Sequence, residues 1–81
     1  PNYKYQIITV DAANAIVTAT AQKQGLKSYA GIVYFERGQS GFIANTRAAI
    51  CETQAPSLVS PAAIQVKSNQ VQCPSDSALV F

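Results

Sequence analysis

The side chains that could perform acid–base chemistry are few and widely separated in this sequence. The 81 residues contain no histidine, and the acids are Asp11, Glu36, Glu52 and Asp76. A general acid–base pair needs two carboxyls that converge in one pocket, and a Ser-His-Asp or Cys-His couple needs an imidazole. We therefore predict that the chain has no catalytic residues, binds no cofactor and is not an enzyme.

Metal and nucleic-acid binding have little more support. Two cysteines cannot form a four-cysteine zinc site, and four scattered acids make a poor calcium loop, so we predict no metal site. The six basic residues are spread singly along the chain, whereas nucleic-acid binding favours a cluster. Lys23, Lys27 and Arg37 are the candidates for weak anion or nucleic-acid contacts. Isolated solvated charges are the alternative.

Cys51 and Cys73 are the sequence's two cysteines. A chain of this size buries only about 60–65% of its unfolded surface, so its core is marginal. A disulfide between the two, formed in an oxidising compartment, would compensate by about 3 kcal/mol. Two buried free thiols are the competing interpretation. Because the disulfide implies export and residue 1 is Pro rather than Met, we expect a longer precursor.

Four segments with the alternation of β-strands precede residue 53. Tyr3, Tyr5 and Ile7 alternate with polar residues, and three further runs follow after short polar connections. Short connections between strands favour an antiparallel meander. The predicted strands are Asn2–Val10, Ala15–Gln22, Tyr29–Glu36 and Phe42–Glu52, with turns at Asp11–Asn14 and Arg37–Gly41.

Residues 53–81 differ in composition from the segments before them, with three prolines and much Ser and Gln. Short pieces around Ile64–Val66 or Gln70–Gln72 could pair with a sheet edge, and the rest is predicted to be irregular. We therefore expect one domain, 1–81, in which 1–52 form the sheet and 53–81 form a C-terminal disulfide loop and tail. The fold class is mainly β, a four-stranded meander plus that loop.

The third strand is apolar on both faces, so both faces of the sheet need cover. The C-terminal tail can cover one of them. Tyr29, Val33 and Phe35 share a face that we predict packs against a helix or a neighbouring subunit. The alternatives are that the aromatic residues belong to the core, or form a stacking platform for bases or sugars.

Two stretches give the sequence a family resemblance. Gly25-Leu26-Lys27-Ser28-Tyr29 opens the third strand, and Ile50-Cys51-Glu52 closes the fourth. Together with the Tyr-rich first strand and the loop to Cys73-Pro74, they resemble the globular C-terminal region of the cyanobacterial type IV pilin-like G/H family, over nearly the whole chain.

The resemblance implies an α+β pilin fold in which a long N-terminal helix anchors the precursor in the inner membrane and later packs in the filament core. The helix would be the missing cover, and other pilin subunits would be partners. The expected function is a structural subunit of a type IV pilus or pseudopilus at the cell surface, supporting adhesion, motility or DNA uptake. The alternative is a secreted or tip-located binding module that recognises DNA, glycan or protein.

Overall fold

The computed structural model describes residues 2–10, 14–38, 43–61, 64–68 and 70–81. Seven strands and no helix lie in these ranges. The predicted turn after the first strand lies largely outside them, as does most of the predicted loop 37–41. The strands are β1 (Tyr3–Val10), β2 (Asn14–Ala21), β3 (Tyr29–Arg37), β4 (Ile43–Thr53), β5 (Gln65–Lys67), β6 (Gln70–Gln72) and β7 (Ser77–Leu79).

The first four strands form the antiparallel meander that the alternating pattern predicts. The strand order is β1-β2-β3-β4-β7, so a short fifth strand from the C-terminal region extends the predicted sheet. β7 pairs with the end of β4, with Cys51 opposite Leu79. The sequence pattern does not predict β7, because three residues cannot establish a hydrophobic period.

The other two short strands correct one expectation. The segments expected to pair with a sheet edge instead pair with each other, with Val66 opposite Val71. The chain reverses at Ser68, which adopts a left-handed backbone with φ of 51°. This two-stranded hairpin lies against the larger sheet, because Val66 and Val71 pack on its core.

The core lies on one side of the sheet only, which we call the covered face. Ile32, Tyr34, Ala49 and Cys51 point to this side, and Ile64 from the C-terminal region packs on them. Cys51 and Cys73 form the predicted disulfide, with Cα atoms 5.7 Å apart, which attaches the covering segment to β4. The molecule is accordingly a thin slab, with extents of 47 × 21 × 16 Å.

Candidate assembly surface

The opposite side of the sheet, which we call the bare face, carries exposed apolar side chains across four strands. Residues paired across an antiparallel sheet point to the same side, and the register places one row of four on this side: Ile7, Val17, Gly31 and Ile50. Val33 lies on the same side, two residues after Gly31 in β3. The exposed fractions are 70% for Ile7, 40% for Val17, 47% for Val33 and 36% for Ile50.

The middle of the bare face is lined by small residues. Ala15, Ala19 and Ala48 are on this side, around Gly31. A Cβ atom added at Gly31 would approach its neighbours no closer than 3.8 Å, so the chain itself has room for a side chain there. Without one, a packing element can approach the backbone more closely at Gly31 than at the larger aliphatic residues.

One end of the bare face is aromatic and charged instead of aliphatic. The ring of Tyr3 lies 6.4 Å from that of Tyr5 and 6.1 Å from that of Tyr29. Glu52 is opposite Tyr29 across β3 and β4, and its carboxylate lies 3.6 Å from the Lys27 ammonium. A hydrogen bond to Glu52 is the main cause that raises the pKa of the Tyr29 hydroxyl, with smaller contributions from desolvation and from charge.

The structure thus brings together the two stretches that carry the family resemblance. Lys27 and Tyr29 come from the first stretch, and Glu52 from the second. Gly25 permits the turn before them, since its φ of 89° is in the region that favours glycine. The two stretches are therefore neighbours at one end of the sheet.

Ser28 is the residue that sequence reasoning missed. It is fully buried, and its hydroxyl accepts from the Ala21 amide at 2.8 Å and donates to the Ser57 carbonyl at 2.7 Å. Its amide donates to the Thr53 hydroxyl at 3.0 Å. Ser28 joins β2, β4 and the start of the C-terminal region. The only sequence feature that pointed to Ser28 was its position inside the Gly25–Tyr29 stretch.

The three predicted packing residues lie on one face of β3, as the alternation of a strand requires. Tyr29, Val33 and Phe35 are all on the bare face, and Tyr29 and Phe35 are half-buried by their own neighbours. Ala30, Ile32 and Tyr34, between them, are buried on the covered face. Within the described part of the chain, no segment packs over the bare face as Ile64, Val66 and Val71 pack over the other.

The predicted basic residues do not form one cluster. Lys23 is exposed in the connection after β2, and Lys27 is engaged with Glu52. The backbone of Arg37 lies at the far end of β3, about 26 Å from Tyr29 at ~3.3 Å per residue. Among the described residues, no group of three potential metal ligands occurs.

A concave feature lies in the C-terminal region. It has a volume of about 440 Å³ and is lined chiefly by the segments around Thr53–Ser57, Val59–Pro61 and Pro74–Ser77. Asp76 is the only ionisable side chain among its described lining residues. This composition offers no acid–base pair.

No helix in the described ranges has the length and hydropathy that a membrane span requires. No curated protein and no solved structure matches the chain. A family model does match, over residues 1–74, and its family is described as type IV pilin-like G and H. That family is structural and not enzymatic. Since the match covers nearly all of the β-sheet and both cysteines, the chain belongs to the type IV pilin-like G and H family.

Proposed function

We propose that this chain is the globular domain of a subunit of a type IV pilus or a related pseudopilus, exposed at the cell surface, and that its bare face is the surface through which it assembles. The observation that carries the proposal is the apolar row Ile7, Val17, Gly31 and Ile50, together with Val33, on a sheet whose other side already has its cover. Family membership supports a surface subunit in general.

The occupant we propose is an apolar helix of the type that pilin subunits carry, supplied by the precursor. A helix is about 10 Å across, and strands are about 4.8 Å apart, so it would cover two to three strands. Its apolar residues would contact Val17, Val33 and Ile50, and its polar end would lie over Tyr29 and Glu52. By the same resemblance, the precursor is held in the inner membrane by this helix and the source is cyanobacterial.

The free energy available from this contact is substantial for a domain of this size. The exposed fractions of Val17, Val33 and Ile50, which the helix would contact, add up to about 1.2 whole side chains. At roughly 1.5–3 kcal/mol for each fully buried aliphatic side chain, covering them contributes about 2–4 kcal/mol. The domain without its helix would therefore be less stable, and would tend to associate through this face.

Matched valine substitutions test the proposal in cells that assemble the filament. Val33→Asp places a charge on the bare face, whereas Val59→Asp places the same charge on the C-terminal segment, where Val59 is 72% exposed. We expect Val33→Asp to abolish surface filaments, counted by electron microscopy, and Val59→Asp to leave them unchanged. The purified domain should fold with either substitution, because both side chains contact water in it. Normal filament numbers with Val33→Asp would refute the proposal.

A role in adhesion, motility or DNA uptake is part of the same proposal, and weak anion contacts at Lys23 and Lys27 would serve it. Because at most three charges, those of Lys23, Lys27 and Arg37, can act together, the logarithm of nucleic-acid affinity should fall with the logarithm of salt concentration at a slope no steeper than about −3. A steeper slope would favour a dedicated binding module over a structural subunit.

A further inference from the structure

β1 is the long free edge of the sheet. It occupies one end of the strand order and pairs only with β2 among the described strands. The edge at the other end is β7, which is three residues long. An exposed edge strand presents backbone donors and acceptors that another extended strand can use.

The outward backbone groups of β1 follow from one hydrogen bond. The Gln22 amide donates to the Asn2 carbonyl at 2.8 Å, and hydrogen-bonded pairs alternate along an antiparallel ladder. The next residues that bond to β2 are therefore Lys4 and Gln6. The amides and carbonyls that point away from β2 belong to Tyr3, Tyr5 and Ile7.

The usable part of this edge is short and symmetrical. The register shifts after Ile7, where a bulge precedes Thr9, and a bulge turns the edge away from regular pairing. The regular edge is thus Tyr3–Ile7, with Tyr5 at its centre. This segment contains no Pro, Gly or acid, and Lys4 is its only charge.

We propose that β1 pairs antiparallel with β1 of a second copy of this chain, about a two-fold axis at Tyr5. Tyr3 then lies opposite the partner's Ile7, and Tyr5 lies opposite the partner's Tyr5. These are hydrogen-bonded pairs, so every outward group of the regular edge finds a partner. The two sheets join into one, and their bare faces continue into each other.

The side chains on the other face agree with this register. Lys4 and Gln6 point there, opposite Thr20 and Thr18 in their own sheet. Across the two-fold axis Lys4 lies opposite the partner's Gln6, so the like charges are not opposed. A second copy fits this edge because the edge is complementary to itself in both backbone groups and charge.

The small area of this contact makes the interaction weak. A stable interface buries about 1,600 Å² in total, and five paired residues on each side bury less. Dimers should therefore accumulate only at high protein concentration, which subunits side by side in a filament would experience. The pairing does not depend on the proposed helix, because it is made by the backbone edge of β1, whereas the helix would contact Val17, Val33 and Ile50 on the other strands.

Charge substitutions at Gln6 test the register directly. Gln6→Glu would place a carboxylate opposite the partner's Lys4 at two symmetrical positions, and Gln6→Lys would place like charges there. At ~0.7 kcal/mol for each cross-strand pair, dimerisation should become about tenfold tighter with Glu and tenfold weaker with Lys at low salt. Gln65→Glu and Gln65→Lys on exposed β5 are the matched controls and should change nothing.

Sedimentation equilibrium up to about 1 mM measures the constants, and amide hydrogen exchange by NMR locates the contact. We expect the amides of Tyr3, Tyr5 and Ile7 to gain protection as concentration rises, while those of Lys4 and Gln6 are protected throughout. A chain that stays monomeric at 1 mM overturns the inference. Dimers that are insensitive to position 6, or that pair with the bare face and leave these amides exchanging, also overturn it.

Discussion

The disulfide gives the most quantitative test of how this domain is stabilised. Reduction breaks the disulfide but leaves both sulfur atoms in place. It therefore opens the loop between two residues that are 22 positions apart. In the chain-entropy treatment, a loop of this size removes about 11 cal/mol/K from the unfolded state, or about 3.4 kcal/mol at 25 °C. A domain of 81 residues is stable by about 5 kcal/mol, so most of that stability depends on one bond.

Urea unfolding of the oxidised and reduced protein, followed by circular dichroism, measures this difference. With a slope near ~1 kcal/mol/M, the midpoint should fall by roughly 3 M on reduction. The slope itself should rise, because the reduced unfolded chain is less compact and exposes more surface. The double substitution of Cys51 and Cys73 by Ala should cost about 1 kcal/mol more, since Cys51 is fully buried among Ile32 and Tyr34.

Three results would refute this reasoning. A midpoint that falls by less than about 1 M would mean that contacts such as those of Ile64 hold the C-terminal region in place without the bond. An unchanged slope with a large loss of stability would place the effect in the folded state. Titration of two free thiols in the denatured, unreduced protein would remove the bond itself, and with it the argument for an oxidising compartment.

Three further predictions concern individual residues. Thr18→Val should raise stability by about 1 kcal/mol in thermal melts, because the Thr18 hydroxyl is buried with no hydrogen-bond partner among the described residues; Thr20→Val, which loses the 3.1 Å bond to a serine of the C-terminal segment, should lower it. Tyr29 should titrate above the ordinary tyrosine pKa of 10.0 in ultraviolet spectra, and Glu52→Gln should bring its midpoint down. Since folding favours the protonated phenol, its contribution is present below pH 10 and is lost as the pH rises through the folded pKa; a Tyr29 midpoint at or below 10 would contradict this. Gly25→Ala should destabilise the domain by about 1 kcal/mol through its positive φ alone, as no atom lies within 4 Å of the added Cβ; an unchanged melting temperature would argue against it.

The sheet was predictable because its faces alternate in polarity along the chain. Tyr3 and Ile7, or Val17 and Thr18, reveal a period of two without any tertiary information, and the disulfide followed from having two cysteines in a small chain. The partners of the C-terminal region were not predictable in this way. β5 and β6 pair with each other and not with the edge of the sheet. Ser28 connects the sheet to the C-terminal region because its hydroxyl bonds to Ser57, 29 residues later. Such contacts depend on how the whole chain closes.

The bare face was predictable as a residue set, and its geometry was not. Tyr29, Val33 and Phe35 were assigned to one side by alternation alone. That Gly31 lies in one row between Val17 and Ile50 depends on the register of three strands. The meeting of Lys27 and Tyr29 with Glu52 likewise depends on the register of β3 against β4, which no local pattern specifies.

The direction of the strands in the slab has a mechanical consequence. Tyr3, Glu52 and the disulfide lie at one end of the sheet, and the ends of β1 and β3 at Val10 and Arg37 lie at the other. A tension applied between these two ends runs parallel to β1–β4. It loads the hydrogen bonds of each ladder together in shear, and does not open them one at a time as a pull across the strands would. A domain held at its Tyr3 end and gripped at the opposite end is therefore oriented to resist stretching.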